Sequence, residues 1–97
     1  MSTIDHLVYM ANQIARELAG QQPRRAVAAT FDHLRSFWDP RMRQAIVAYL
    51  EEGGEQLSAD ARGAVALLHD DAVAAARRVG TMRADRAAAG ANADRSD

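Results

Sequence analysis

Apolar residues recur at helical spacing in four separated stretches of the chain, and nowhere do they alternate with polar ones as in a half-buried strand. Over residues 2–19, Ile4, Leu7, Ala11, Ile14, Ala15 and Leu18 share one face, which Val8, Tyr9 and Met10 widen. Ser2 with Asp5 three positions on forms a weak capping box, and Gly20 is the expected stop. After Gln21-Gln22-Pro23, a second helix at about 24–37 presents Val27, Phe31, Leu34 and Trp38. A third, from Pro40 to about Glu52, buries Met42, Ala45, Ile46, Tyr49 and Leu50 before Gly53-Gly54 ends it. A fourth starts behind Ser58 as N-cap, carries Ala61, Ala64, Val65, Leu68, Ala72 and Ala75 on one face, and is expected to stop at Gly80. The pattern predicts an all-α fold: a small bundle of about four short helices over residues 1–80, with a flexible tail over 81–97. That tail is rich in Ala, Arg and Asp and has too few bulky apolar side chains to offset the cost of ordering it.

The stretch Phe31–Arg43 organises the rest. It holds both phenylalanines, the one tryptophan and a group of arginines. Proline disfavours helical geometry in the residue before it and suits a helix's first turn, so Asp39-Pro40 ends one helix near Phe37–Trp38 and caps the next. The expected product is a rigid corner carrying large apolar side chains beside fixed cations. Phe37, Trp38 and Met42 are its candidate anchors for a protein partner, and Arg41 and Arg43 its candidate charge contacts. His33, Asp39 and Pro40 complete the patch, and Asn12, at the edge of the first helix's stripe, is a candidate hydrogen-bonding contact.

Length bounds what such a chain can be. At 97 residues it has room for one small domain, which buries only about 60% of the surface its unfolded form exposes. Cysteine is absent, which removes disulfides, thiolate metal sites and cysteine-ligated clusters. The start lacks the basic and apolar run of a signal peptide, and no segment approaches the ~20 apolar residues of a membrane span. A soluble, cytoplasmic protein is expected. With a net charge of −1, no global field draws it to nucleic acid or an acidic membrane. The third helix has arginines in its first turn and glutamates at its end, opposite to what its own dipole favours; such charges suit a partner better than their own helix.

Chemistry-bearing constellations are scarce. His6, His33 and His69 have no His, Asp or Glu three or four residues further on, so zinc-type helix pairs are missing. His69-Asp70, Glu51-Glu52 and Asp70-Asp71 are sequence neighbours, which point about 100° apart on a helix. Neither glycine-rich phosphate loop motif occurs, and the serines lack an evident base. Arg35, Arg41 and Arg43 beside a helix–helix corner look superficially like a helix-turn-helix reader, but the acidic residues nearby oppose phosphate contacts. The residues therefore favour a non-enzymatic subunit or assembly factor. The alternatives are a dissociable assembly chaperone and a small helical nucleic-acid-binding module.

One family likeness sharpens this. His33-Leu34-Arg35 followed by Phe37-Trp38-Asp39-Pro40-Arg41-Met42-Arg43 resembles the delta subunit of NAD-dependent formate dehydrogenases. Leu7-Val8-Tyr9-Met10-Ala11-Asn12-Gln13-Ile14-Ala15 is similar to that family's N-terminal signature. Gly53-Gly54, Leu57 and the run Ala64 to Leu68 follow in matching order, so the likeness covers about residues 4–68. It implies a non-catalytic accessory subunit of a cytoplasmic molybdenum- or tungsten-containing enzyme that oxidises formate to CO2. Its implied partners are the large alpha subunit, with beta and gamma in the same complex, and neither nucleic acid nor membrane. The likeness also implies no cofactor on this chain: the molybdenum or tungsten pterin, iron–sulfur clusters, FMN and NAD belong to the other subunits.

Overall fold

The computed structural model describes the backbone of residues 2–95 and the side chains of residues 2–80. Helix α1 spans Thr3–Gln21, a single 3-10 turn covers Pro23–Arg25, α2 runs Ala26–Phe37, α3 Pro40–Glu51 and α4 Ala59–Arg95. There is no strand among the described residues. The four-helix expectation holds, with the ends set by local chemistry. Ser2 Oγ accepts from the Asp5 N–H at 3.2 Å and Asp5 Oδ2 from the Ser2 N–H at 3.3 Å, a complete capping box. Asp39 Oδ1 accepts from the Met42 N–H at 2.9 Å, and Ser58 Oγ from the Ala61 N–H at 3.3 Å.

Two glycines expected as stops do not act as such. α1 runs through Gly20 to Gln21 and ends where Gln22, the residue before Pro23, leaves helical geometry at φ −138°, ψ 71°. α4 passes Gly80 and continues to Arg95. Neither glycine has the positive φ of a C-terminal cap, and in helical geometry each costs only about 1 kcal/mol relative to alanine. Of residues 81–97, where a flexible tail is expected, the structure describes the backbone of 81–95 alone, as a continuation of α4. The real turn is Gly53-Gly54, with φ +125° and +56°.

α4 packs on α2, α3 and α1, and α1 also packs on α2 and α3. Leu7, Val8, Ala11 and Ala15 of α1 meet Leu34, Trp38, Ile46 and Leu57, with Ala61, Ala64, Val65 and Leu68 of α4 closing the core. Four alanines, Ala11, Ala15, Ala61 and Ala64, stand among these larger side chains. Ile4, Ile14, Phe31, Met42, Ala45, Tyr49 and Leu50 border it half-buried. Thr30, fully buried, satisfies its hydroxyl on the Ala26 carbonyl at 2.6 Å. Ala72 departs from its expected place on the buried stripe: it is exposed, on the open floor of a groove between α3 and α4.

Candidate functional site

At Trp38 the backbone leaves the helix for φ −82°, ψ 140°, and at Asp39 it takes φ −73°, ψ 165° before α3 begins. The corner is held from both sides. The Trp38 N–H donates to the Leu34 carbonyl at 3.1 Å, and the Arg43 N–H to the Asp39 carbonyl at 3.1 Å. The Arg43 guanidinium reaches back to the Arg35 carbonyl at 2.7 Å, satisfying an orphan acceptor in the last turn of α2.

This geometry divides the residues that the sequence grouped together. Trp38 is 5% exposed and belongs to the chain's own core. It therefore cannot serve as a partner anchor in this conformation. Phe37, its neighbour, is 75% exposed. The ring of His33, one turn earlier, lies 4.8 Å from it between centroids at 41°, so the two rings form a tilted aromatic pair on the outer face of α2. Leu18, Ala29, His33 and Phe37, with Gln22 and Asp32, border a shallow cavity of about 380 Å³ between the end of α1 and α2.

The other candidates separate by the same test. Met42 is half-buried and packs against the core, Arg43 bonds one guanidinium nitrogen, Nη1, to α2, and Asp39 caps α3. Pro40 and Arg41 are exposed. Asn12 is not free for a partner: its side chain bonds to the Gln56 carbonyl at 2.9 Å and to the Ser58 N–H at 2.8 Å. Of the corner residues, Phe37, Pro40 and Arg41 are thus presented outward with His33 half-buried beside Phe37, and the remainder build the chain itself.

One contact that the sequence does not mark joins α3 to α4. His69 Nε2 lies 3.4 Å from Glu51 Oε1 across α3 and α4, because the turn at Gly53-Gly54 folds α4 back along α3. Its Nδ1 is also 3.5 Å from Asp70 Oδ1, closer than a 100° separation suggests but at the limit of a hydrogen bond. These side chains are well exposed. Among the described residues no group of three or more His, Asp or Glu is arranged to hold a metal ion, and no helix is long and apolar enough to cross a membrane.

No curated protein and no solved structure matches the chain. A family described as "NADH-dependant formate dehydrogenase delta subunit FdsD" matches residues 6–65. That stretch takes in α1 from His6 onward, the α2–α3 corner, the glycine turn and the first two turns of α4. It is more than half of the chain, which therefore belongs to the family of NADH-dependent formate dehydrogenase delta subunits.

Proposed function

We propose that this chain is a non-catalytic subunit of a cytoplasmic formate dehydrogenase and seats itself on the large alpha subunit through the Phe37–His33 face. Family membership supplies the complex; the exposed Phe37 ring, with half-buried His33 against it, supplies the contact. A phenylalanine left 75% exposed beside a corner fixed by hydrogen bonds on both sides is the observation that carries the reading. Burying such a side chain in a partner's pocket contributes about 1.5–3 kcal/mol, and the rigid corner leaves little conformational freedom to lose on binding. Pro40 and Arg41 extend the patch, with Arg41 available for bidentate pairing to a carboxylate or to carbonyls.

Formate oxidation and the transfer of its electrons to NAD fall, in this reading, to the alpha, beta and gamma subunits. They carry the molybdenum or tungsten pterin, the iron–sulfur clusters and FMN. This chain's donor set agrees: it has no cysteine to ligate a cluster. Its role is to support assembly, stability or cofactor loading of alpha.

The test is recovery of alpha on tagged delta, with Phe37→Glu compared with wild type in the co-expressed complex. A contact worth about 2 kcal/mol means roughly a 30-fold loss of affinity, while the helical circular dichroism signal stays unchanged. Recovery of alpha at wild-type yield would refute the contact. A purified active complex that lacks delta would replace the subunit role with that of a dissociable chaperone.

A further inference from the structure

On the other side of the corner, α3 and α4 enclose a groove of about 510 Å³. Its floor is Val47 and Ala48 of α3 with Leu68, Ala72 and Ala75 of α4. Leu68 is buried, but Ala48 and Ala72 are exposed, so among the described residues the apolar line of α4 continues past Leu68 without a covering element. The small alanines permit the close approach of another helix backbone. One end of the α3 wall carries Arg43, with Arg35 beside it, and the other end carries Glu51.

The charges of α3 run against its own dipole. Arg41 and Arg43 stand in a first turn that has no acid, and the last turn has no base and ends in Glu51. An ordinary helix prefers acids at its start and bases at its end. Laid parallel to α3, such a helix sets its acidic start against Arg43 and Arg35 and its basic end against Glu51. Laid antiparallel, it stacks like charge on like. Among the described residues Arg35 is paired with Asp71 alone, at 3.7 Å and largely in solvent, a contact easily exchanged.

Resting on the reading that this chain sits in the formate dehydrogenase complex, we propose that the groove receives one amphipathic helix of the alpha subunit. That helix runs parallel to α3, acidic in its first turn and basic in its last. Its contact length is that of α3, 12 residues, or about 18 Å. A second copy of this chain does not supply it from its three shorter helices. α1 has an acidic first turn but no base at its end, α2 has the base but not the acid, and α3 has neither.

Photo-crosslinking in the assembled complex tests this, with benzoylphenylalanine placed at Ala72, at Ala48 or at Phe37 and the adducts mapped by mass spectrometry. The expected result is that Ala72 and Ala48 adducts fall in one alpha-subunit helix with Asp or Glu in its first turn and Lys or Arg in its last. Ala72 and Ala48 adducts confined to a second copy, to a helix of the opposite charge order, or to nothing overturn the inference. If Phe37 still links to alpha in that case, the proposed function stands and only the groove assignment falls. Failure of all three positions to reach alpha overturns both.

Discussion

The side-chain amide of Asn12 clasps the backbone on either side of Leu57. Its Oδ1 accepts from the Ser58 N–H at 2.8 Å and its Nδ2 donates to the Gln56 carbonyl at 2.9 Å. One side chain of α1 thereby fixes the connection that leads into α4, and it presents Ser58 for its own capping bond to the Ala61 N–H. The Gln56 N–H is held in turn by the Tyr49 hydroxyl at 3.0 Å, which ties α3 to the same loop. Leu57, between the clasped groups, is driven into the core at 7% exposure.

Asn12→Ala removes both bonds from groups that water can reach, so the loss sits at about 1–2 kcal/mol. In a domain this small that lowers Tm by roughly 5–15 °C. Asn12→Asp keeps the acceptor for Ser58 but sets a carboxylate against the Gln56 carbonyl, and should fall between the two. Thermal unfolding followed by circular dichroism reads both; a Tm within about 2 °C of wild type for the alanine variant would deny the clasp any stabilising role.

The glycine turn permits a sharper distinction. At Gly54 two penalties coincide: φ is +56°, and a Cβ there would lie 3.0 Å from Leu50 Cδ1 and 3.3 Å from Leu50 Cα. Left-handed geometry costs a non-glycine residue about 1–2 kcal/mol, and crowding against backbone adds to it. Asparagine relieves the first penalty but not the second, so Gly54→Asn should recover only part of the loss in Gly54→Ala. Arg62 braces the same turn, its Nη2 bonding to the Gly53 carbonyl at 2.7 Å and the Gly54 carbonyl at 2.8 Å. Arg62→Ala should cost about 1–2 kcal/mol in urea unfolding at this exposed site, and Arg62→Lys somewhat less. Full recovery by asparagine would show that φ alone matters at Gly54.

What was legible in the sequence was what depends on near neighbours. Asp39-Pro40, Ser2 with Asp5, Ser58 and Gly53-Gly54 act within a few residues, and each forms the expected end. Periodicity also carried more of the site than the grouping by residue type did. Trp38 continues the line Val27, Phe31 and Leu34, and it is buried; Phe37 lies off that line and is exposed. Treating both as partner anchors because both are large set aside that spacing. Asn12 was legible only as a hydrogen-bonding side chain and not in its partners, which lie 44 and 46 residues away and are backbone groups that no side-chain pattern marks. Gly20 and Gly80 misled for a related reason: a glycine stops a helix only where the chain must turn, and that demand comes from tertiary packing.

Adjacent substitutions at the corner should therefore separate folding from association. Trp38→Ala empties a core position and should cost about 3–5 kcal/mol, enough to unfold much of so small a domain. Phe37→Ala should change stability by no more than about 0.5 kcal/mol. Because Trp38 is the chain's one tryptophan, its emission in the native protein should be blue-shifted and shift red on unfolding. Emission already at the solvent-exposed wavelength in the folded chain would contradict its burial.

The contact between α2 and α4 turns on Gly63, where an added Cβ would lie 3.1 and 3.2 Å from the two methyl carbons of Val27. Alanine in mid-helix gains about 1 kcal/mol over glycine from propensity, while overpacking costs about 1–3 kcal/mol. Val27 is β-branched and stiff at χ1, so it cannot easily swing aside, and Gly63→Ala should come out neutral to about 2 kcal/mol destabilising. In a Val27→Ala background the methyls are gone and the same substitution should become stabilising by about 0.5–1 kcal/mol. The double-mutant cycle should then show a coupling of about 1 kcal/mol or more, which distant sites do not show. Gly80 is the control: nothing stands within 4 Å of its would-be Cβ. Gly80→Ala should stabilise by up to about 1 kcal/mol, whichever residue occupies position 27. Additive behaviour of Gly63 and Val27 in urea unfolding would mean that the two helices do not meet at this point.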